Sequence, residues 1–485
     1  MSLPAPDGPS RTATRPAAAP SILKMAAPLI LSFGMRSLFT FVDSFYAATL
    51  GDEAVAVVSG LSMPFEFLMI AFWVGLSTGL TSNLSRAMGA REGARIDQLL
   101  AVSRRIVWCL VPLFTALGAV AYFGADRFGL PPNVVRPFAI YVGVLVGGSA
   151  LSSFWSIIPD SIVKAHHDTR STMWAGIWSN LINVGLNTIF LFAFHWGILG
   201  IALSTVLGRF GGLVYALRKA AQHEANRKAS GLDASPALDP APLRSILTLA
   251  VPSALTYALM AFESTLVNWL LARRPDSTSS IAACGIYFRV LIFAIMPIMA
   301  TAVAVLPYVA RRFGEGDIES IRRGLRQASL AAVAYGVALV APAAVFGGPY
   351  LARVLARSPV TEGLTQGALL FCPLGCLASI PFILCRPAFE GLQRGRPGLV
   401  MAVLRYLVLT VPCGFSGMAV ARLVGRHEVY GLLAGLIVAS ATASLIFLVW
   451  MRRTLGQVEG RGRLMGYDRL APAVAGDPGS GDLGA

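Results

Sequence analysis

Asp43 stands in the stretch SLFTFVDSFYAATLG, with apolar and aromatic neighbours on both sides. A carboxylate in such a run is not a loop residue, and an ionisable group among apolar spans by default marks an ion or substrate path. Arg36 precedes it by two helical turns, so the two share a face about 10 Å apart along the axis. Asp43 is therefore either a proton or Na⁺ switch or half of a structural ion pair with Arg36 or with another helix. Glu263, in YALMAFESTLVNW, is its counterpart later in the chain. It follows Pro252 as Asp43 follows Pro28, one helical turn nearer the proline and on the same face.

The other candidates are weaker. Glu66 follows Pro64 in the middle of an apolar run, and Asp160 stands four residues before Lys164, a spacing that pairs opposite charges on a helix. Arg289, Arg386 and Arg405 also lie in apolar runs, where Arg289 and Arg386 can pair with these acids or snorkel. Asn180, Asn183 and Asn187 recur at helical spacing, with Thr205 in the following run. Such a face either binds a polar ligand or glues helices together. His166-His167-Asp168 is a weak metal pattern and better suits a solvated loop. No HExxH, GxxxxGK[ST] or GxSxG occurs. No cofactor, metal or enzymatic activity is expected, and a transporter without a nucleotide site must draw on an H⁺ or Na⁺ gradient.

The elements that must position these residues are membrane helices. Of the 485 residues 55% are hydrophobic and 13% charged, against about 25% charged in a soluble domain. So much apolar surface implies many spans rather than one anchor. Apolar runs fall near 25–49, 54–82, 102–124, 136–162, 173–194 and 198–217, then near 246–271, 281–309, 328–346, 364–388, 399–421 and 430–450. The six cysteines lie in apolar segments without a CxxC pair and are expected to be small packing residues.

The chain is written twice. Ser21-Ile22-Leu23 to Pro28 returns as Ser245-Ile246-Leu247 to Pro252; Arg86 and Gly89 return as Arg311 and Gly314; Arg170 returns as Arg396. The offset drifts only from 224 to 226 residues, so duplication of a half-chain is the reading, and that is a common build of membrane transporters. The domains expected are a disordered cytoplasmic tail (1–20, with no cleavable signal), a lobe of six spans (21–217), a cytoplasmic linker (218–243), a second lobe of six (244–451) and a cytoplasmic tail (452–485). Lys and Arg are roughly three times as frequent in the loops on the terminal side of the spans as in the opposite loops, which places both termini inside. The net charge of +15 is thus a matter of topology rather than of nucleic-acid binding. Six is even, so the halves enter the membrane in the same direction, related by a pseudo-two-fold axis along its normal, with the first and seventh helices facing each other across a central cleft. The fold class is all-α, a polytopic membrane protein of twelve helices in two lobes.

Taken in order, Pro28, Asp43 and Leu50-Gly51, the loop SRAMGAREG, the turn KAHHDTR, NLINVGLN and WGILGIALST resemble the multidrug and toxic compound extrusion (MATE) family over about 21–450. The resemblance implies twelve helices around a central cavity and export of cationic or amphipathic compounds in exchange for Na⁺ or H⁺. It matches Asp43 to the family's first-helix acid and Glu263 to the seventh-helix acid of the NorM-type branch. Three departures stand out: Asn187 where an Asp is frequent, Ser379 where NorM-type members carry an acid, and Phe389-Glu390-Gly391 in place of Leu-Arg-Gly. With fewer carboxylates to cage Na⁺, the proton is the favoured coupling ion. The expected partners are a small-molecule substrate and the bilayer, with a monomer in an inner (plasma) membrane. A lipid or glycan-lipid flippase of the same superfamily is the alternative, kept open by Arg36, Arg289 and Arg386. A membrane-embedded enzyme or scaffold is more remote, since no nucleophile–base or metal set is visible.

Overall fold

The computed structural model describes residues 21–464 except 52, 55–56, 129, 131, 231–235, 273–276 and 356–357; side chains at 36–42, 44, 59–60, 63, 261, 264–265, 268–269, 272, 277–278 and 461–464 are also left aside. Twelve long helices follow one another: α1 (Ile22–Ala48), α2 (Met63–Gly89), α3 (Gly93–Phe123), α4 (Pro132–Ala165), α5 (Thr169–Ala193), α6 (Ile198–Ala229), α7 (Pro242–Ala272), α8 (Ser277–Glu315), α9 (Ile318–Leu355), α10 (Cys372–Gly391), α11 (Arg396–Leu423) and α12 (Glu428–Leu464). No strand occurs among the described residues. Eleven of the helices are long and apolar enough to cross a bilayer, and α1 contributes the shorter apolar stretch Ile22–Met35. Local chemistry starts several of them. The Ser21 hydroxyl accepts from the Lys24 amide, Asp168 from Ser171 and Asp317 from Ser320, each satisfying a donor that a helix start would otherwise leave unpaired.

The helices outrun the apolar runs. Helix α6 continues to Ala229 and α12 to Leu464, so the linker expected at 218–243 and the tail expected at 452–485 both begin as helix. What remains of the linker is docked: Asp239 accepts from Arg95 (2.9 Å) and Ser245 (2.6 Å), and Gln98 brackets its backbone at 2.9 Å on each side. Residues 1–20 and 465–485 lie outside the described part.

Three buried clusters form, one in the first half and two in the second, and the two larger ones exchange elements reciprocally. The first holds buried side chains from Tyr46 to Ala220 and also Ile246, from the start of α7. The second is built from α8–α12 and also Ile22, Met25, Ala26 and Leu29, from the start of α1. Each half lends its opening turns to the other half's core, and Ile22 and Ile246 are repeat equivalents. Helix α1 accordingly packs on α8, and α7 on α2. The first and seventh helices therefore each pack on the second helix of the opposite lobe.

Small residues allow this approach. A Cβ on Gly75 would meet the Ala250 carbonyl at 2.6 Å, and one on Gly79 the Ile246 carbonyl at 2.5 Å. The ends of α2 and α8 touch through their backbones: a Cβ on Gly89 would collide with the Arg311 carbonyl, and one on Gly314 with the Arg86 carbonyl. The repeated Arg-x-x-Gly thus lies on the pseudo-two-fold axis. The starts of α1 and α7 and the ends of α2 and α8 share one end of the molecule, so the halves run in parallel. Gly89→Val and Gly314→Val are each expected to cost about 1–3 kcal/mol of stability by overpacking, read as a lowered thermal midpoint in tryptophan fluorescence. Gly34→Ala, where a Cβ meets open space, is expected to lower nothing.

Candidate functional site

Asp43 is held inside the first lobe by the fifth and sixth helices. Asn187 donates its amide to the carboxylate at 2.8 Å. The Asn183 amide orientation that satisfies both its ends donates to the same carboxylate at 3.1 Å and turns its oxygen to Thr205 Oγ1, also 3.1 Å away. Ser204 in turn donates to the Asn187 oxygen at 2.5 Å. Asn183 and Asn187 are one turn apart on α5, and Ser204 and Thr205 come from α6; the spacing seen in the sequence is the face that clasps Asp43. Asn180, half-buried one turn earlier, makes none of these described bonds. The Arg36 side chain is outside the described residues.

Glu66 accepts from Ser62 at 3.2 Å and lies within electrostatic reach of Asp43, as does Arg209. Both act also on the buried Tyr141 of α4. Arg209 is bonded to Ser153 at 3.4 Å, a role that the sequence alone does not mark. The signal there is an Arg in the apolar run 198–217, and it sits in a glycine-rich segment with no acid at helical spacing.

The second lobe carries a matching acid in different company. Glu263 of α7 accepts from Thr410 of α11 at 2.9 Å, so each first-helix acid is held by the fifth helix of its own half. The segment Leu404–Leu409 is a π-helical turn, which rotates the register between Arg405 and Thr410 and brings both toward Glu263. Arg405 lies within electrostatic reach of Glu263. Its guanidinium covers Phe382 at 4.7 Å and Tyr406 at 4.9 Å and reaches Ser379 at 3.5 Å. The position at which the family resemblance led to expecting an acid thus receives a cation's hydrogen bond.

Two further charged residues are consumed structurally. Arg386 pairs with Glu390 at 3.1 Å, donates to Ser253 at 2.8 Å and covers Tyr257 at 5.1 Å. Asp160 pairs with Lys164 at 2.5 Å and accepts from Thr172 at 3.1 Å. These two pairs occupy equivalent repeat positions with their signs exchanged, Asp160-Lys164 against Arg386-Glu390. Arg289 is exposed and joins neither acid in the described contacts. The His166-His167-Asp168 turn is not the solvated loop expected. Its three residues are half-buried, with His166 stacked on His223 at 4.8 Å and Asp168 bonded to His223 at 2.9 Å. Among the described residues no group of His, Cys, Asp and Glu could hold a metal.

Two parallel six-helix lobes, each with a carboxylate on its opening helix, are the build of a multi-pass membrane transporter. The chain belongs to the MATE family: the MatE family model matches residues 28–189 and 252–416. It is similar to an FAD transporter of Shewanella oneidensis (22% identical, over 82% of this chain and 87% of that one) and to a probable multidrug resistance protein NorM of Bradyrhizobium diazoefficiens (24% identical, 90% and 94%). Among solved structures it is similar in fold to an outward-facing multidrug resistance MATE transporter (TM-score 0.79, 22% identical, 90% and 96% covered). A MOP-superfamily transporter from Pyrococcus furiosus is also similar in fold (TM-score 0.78, 22% identical, 90% and 96% covered).

The Arg386–Glu390 pair is open to a stability test. Arg386→Met strands a carboxylate that is 3% exposed, and breaking a buried pair from one side costs about 3–5 kcal/mol. A marked fall in the thermal midpoint is expected. The double variant Arg386→Met/Glu390→Met is expected to recover most of it.

Proposed function

We propose that this chain is an efflux antiporter that exports cationic or amphipathic small molecules in exchange for protons, with Asp43 as the principal proton carrier and Glu263 as a second. The observation that carries the reading is the orientation of the amides around Asp43. Asn187 and Asn183 turn their nitrogens to the carboxylate and their oxygens to Ser204 and Thr205. A Na⁺ site needs several oxygens converging on one point, and here the oxygens face away. A proton needs only the carboxylate, and donors around it can exchange partners as it is loaded and released.

The charge balance supports the substrate class. Among the described residues, Arg209 is the cation within electrostatic reach of Asp43, which shares the first lobe with Glu66, an interior that suits a positive guest. The second lobe is close to neutral in its described contacts, because Arg405 faces Glu263 and Arg386 faces Glu390. Arg386 is thereby withdrawn from the flippase alternative, which needs cations free to meet a phosphate. The names of the relatives also favour export of small molecules. The excess of Lys and Arg at the inner end supports a cytoplasmic placement of both termini, in the plasma (inner) membrane of the cell. The reading needs one chain, a substrate and the bilayer.

Export by everted vesicles tests it. A pH gradient alone is expected to drive uptake of a cationic dye into vesicles holding the chain, and a Na⁺ gradient at fixed pH is expected not to. Asp43→Asn is expected to abolish the pH-driven signal while the protein remains folded in the membrane, whereas Glu263→Gln should lower it partly. Transport that runs only on Na⁺, or normal transport by Asp43→Asn, would overturn the assignment.

A further inference from the structure

The inner end carries two equivalent turns that the transport reading leaves unused. After α4 the chain turns through His167 and after α10 through Gln393, with φ of 60° and 61°. Both turns close alike. His167 N donates to the Lys164 carbonyl and Asp168 N to Val163, each at 2.9 Å; Gln393 N donates to Glu390 at 3.1 Å and Arg394 N to Phe389 at 2.9 Å. This is the left-handed helix end that glycine normally supplies. A side chain there costs about 1–2 kcal/mol, and strain of that kind persists where neighbours over-determine it, commonly at functional points.

Each strained residue reaches across to the other lobe. Gln393 donates to Ser82 Oγ of α2 at 2.7 Å, and Ser82 donates to the Glu390 carbonyl at 2.7 Å. The His167 ring lies near the Pro307 carbonyl and Arg311 of α8. Ser82 and Pro307 are themselves repeat equivalents, on the faces of α2 and α8 that lead to the Gly89–Gly314 contact. We propose that His167 and Gln393 are a pseudo-symmetric pair of bolts that hold the inner gate shut, and that protonation of His167 releases its side, so that acidification on that face favours opening toward the cytoplasm.

The asymmetry of the pair carries the acid sensitivity. Gln393 cannot titrate. The His167 ring faces Pro307, and its Nε2 is buried without a hydrogen-bond partner. A second proton would lodge there, beside Arg311 and Arg312 of α8 and His166 of its own turn. The arginines are partly answered by Glu315 (3.3 Å and 3.0 Å) and Asp317 (3.3 Å), and His166 by Glu224 at 3.5 Å, so no acid in these contacts is left to serve His167. Burial first, then Arg311, holds the imidazole down at about 4 in the shut form. Opening exposes the ring and returns it to its ordinary value near 6.5. The shut form therefore binds fewer protons, and it loses ground as pH falls from about 6.5 toward about 4.

Spin labels on the two lobes read the gate directly. Arg170 and Arg396 are exposed equivalents at the inner end. They are changed to Cys in the full chain, with Cys109 and Cys413, the cysteines that are not buried, changed to Ser. Pulsed dipolar distances are recorded in nanodiscs between about pH 7.5 and about pH 5. The ratio of long to short distances is expected to rise on the order of tenfold with acid. His167→Gln, which keeps a donor and removes the titration, should stay short throughout. His167→Gly and Gln393→Gly, which keep the turn and remove the bolt, should be long-biased at both ends of the range. Gln393→His should steepen the acid response, which keeps the test alive if one variant folds poorly. An unchanged ratio in the parent chain, or a full acid response in His167→Gln, overturns the proposal. So does a response lost in Asp43→Asn and kept in His167→Gln, which would place the sensor at Asp43. No substrate is needed, so this result stands apart from that of the vesicle assay.

Discussion

The backbone contact between Gly89 and Gly314 is the constraint on which the arrangement of the lobes depends. In a bilayer the hydrophobic effect does not drive helix on helix, and close approach of small residues has to supply van der Waals contact instead. Here α2 and α8 meet end to end with no side chain between them. The approach brings the starts of α1 and α7 into the opposite lobes' cores. The two lobes are thus tied at this end by backbone contact. The strained turns at His167 and Gln393 sit beside it.

Inside each lobe the polar side chains obey the rule that nothing ionisable is left unanswered in an apolar surround. The two lobes solve it differently. The first answers Asp43 with amides and hydroxyls, neutral groups that can rearrange without leaving a charge behind. The second answers Glu263 with Arg405 and a threonine, and Glu390 with Arg386, which are ionic partners with stacked aromatic support. A carboxylate held by neutral donors can change its protonation and keep its neighbours in place. One held against a guanidinium would strand the cation. That contrast is the physical ground on which a coupling step is proposed chiefly for the first lobe, although the two acids occupy nearly equivalent positions.

The repeat also explains where equivalence breaks down. Asp160-Lys164 and Arg386-Glu390 keep the pairing and exchange the sign, since an i, i+4 spacing brings two opposite charges together in either order. The turn that follows keeps its backbone shape in both halves but carries His in one and Gln in the other. Duplication conserved geometry, and the side chains diverged within it.

The sequence alone determined the fold class, the six-plus-six division, the parallel repeat and the identity of Asp43 and Glu263 as the isolated acids. Such features are written locally: hydropathy marks each span, and a charge inside an apolar run is conspicuous wherever its partner lies. It also laid Asn183, Asn187 and Thr205 on helical faces. Tertiary structure alone decided what those faces meet. The neighbour offered by spacing for Asp43 was Arg36, two turns away, whereas the bond that holds it in the fold comes from Asn187 on α5. Arg209 and Arg405 gained their roles through helix packing, and His166-His167-Asp168 was turned from a solvated loop into an interlobe contact. Spacing fixes the angle at which a side chain leaves its helix; which helix stands opposite depends on the packing of small residues such as Gly75, Gly79, Gly89 and Gly314, which is a property of surfaces brought together from distant parts of the chain.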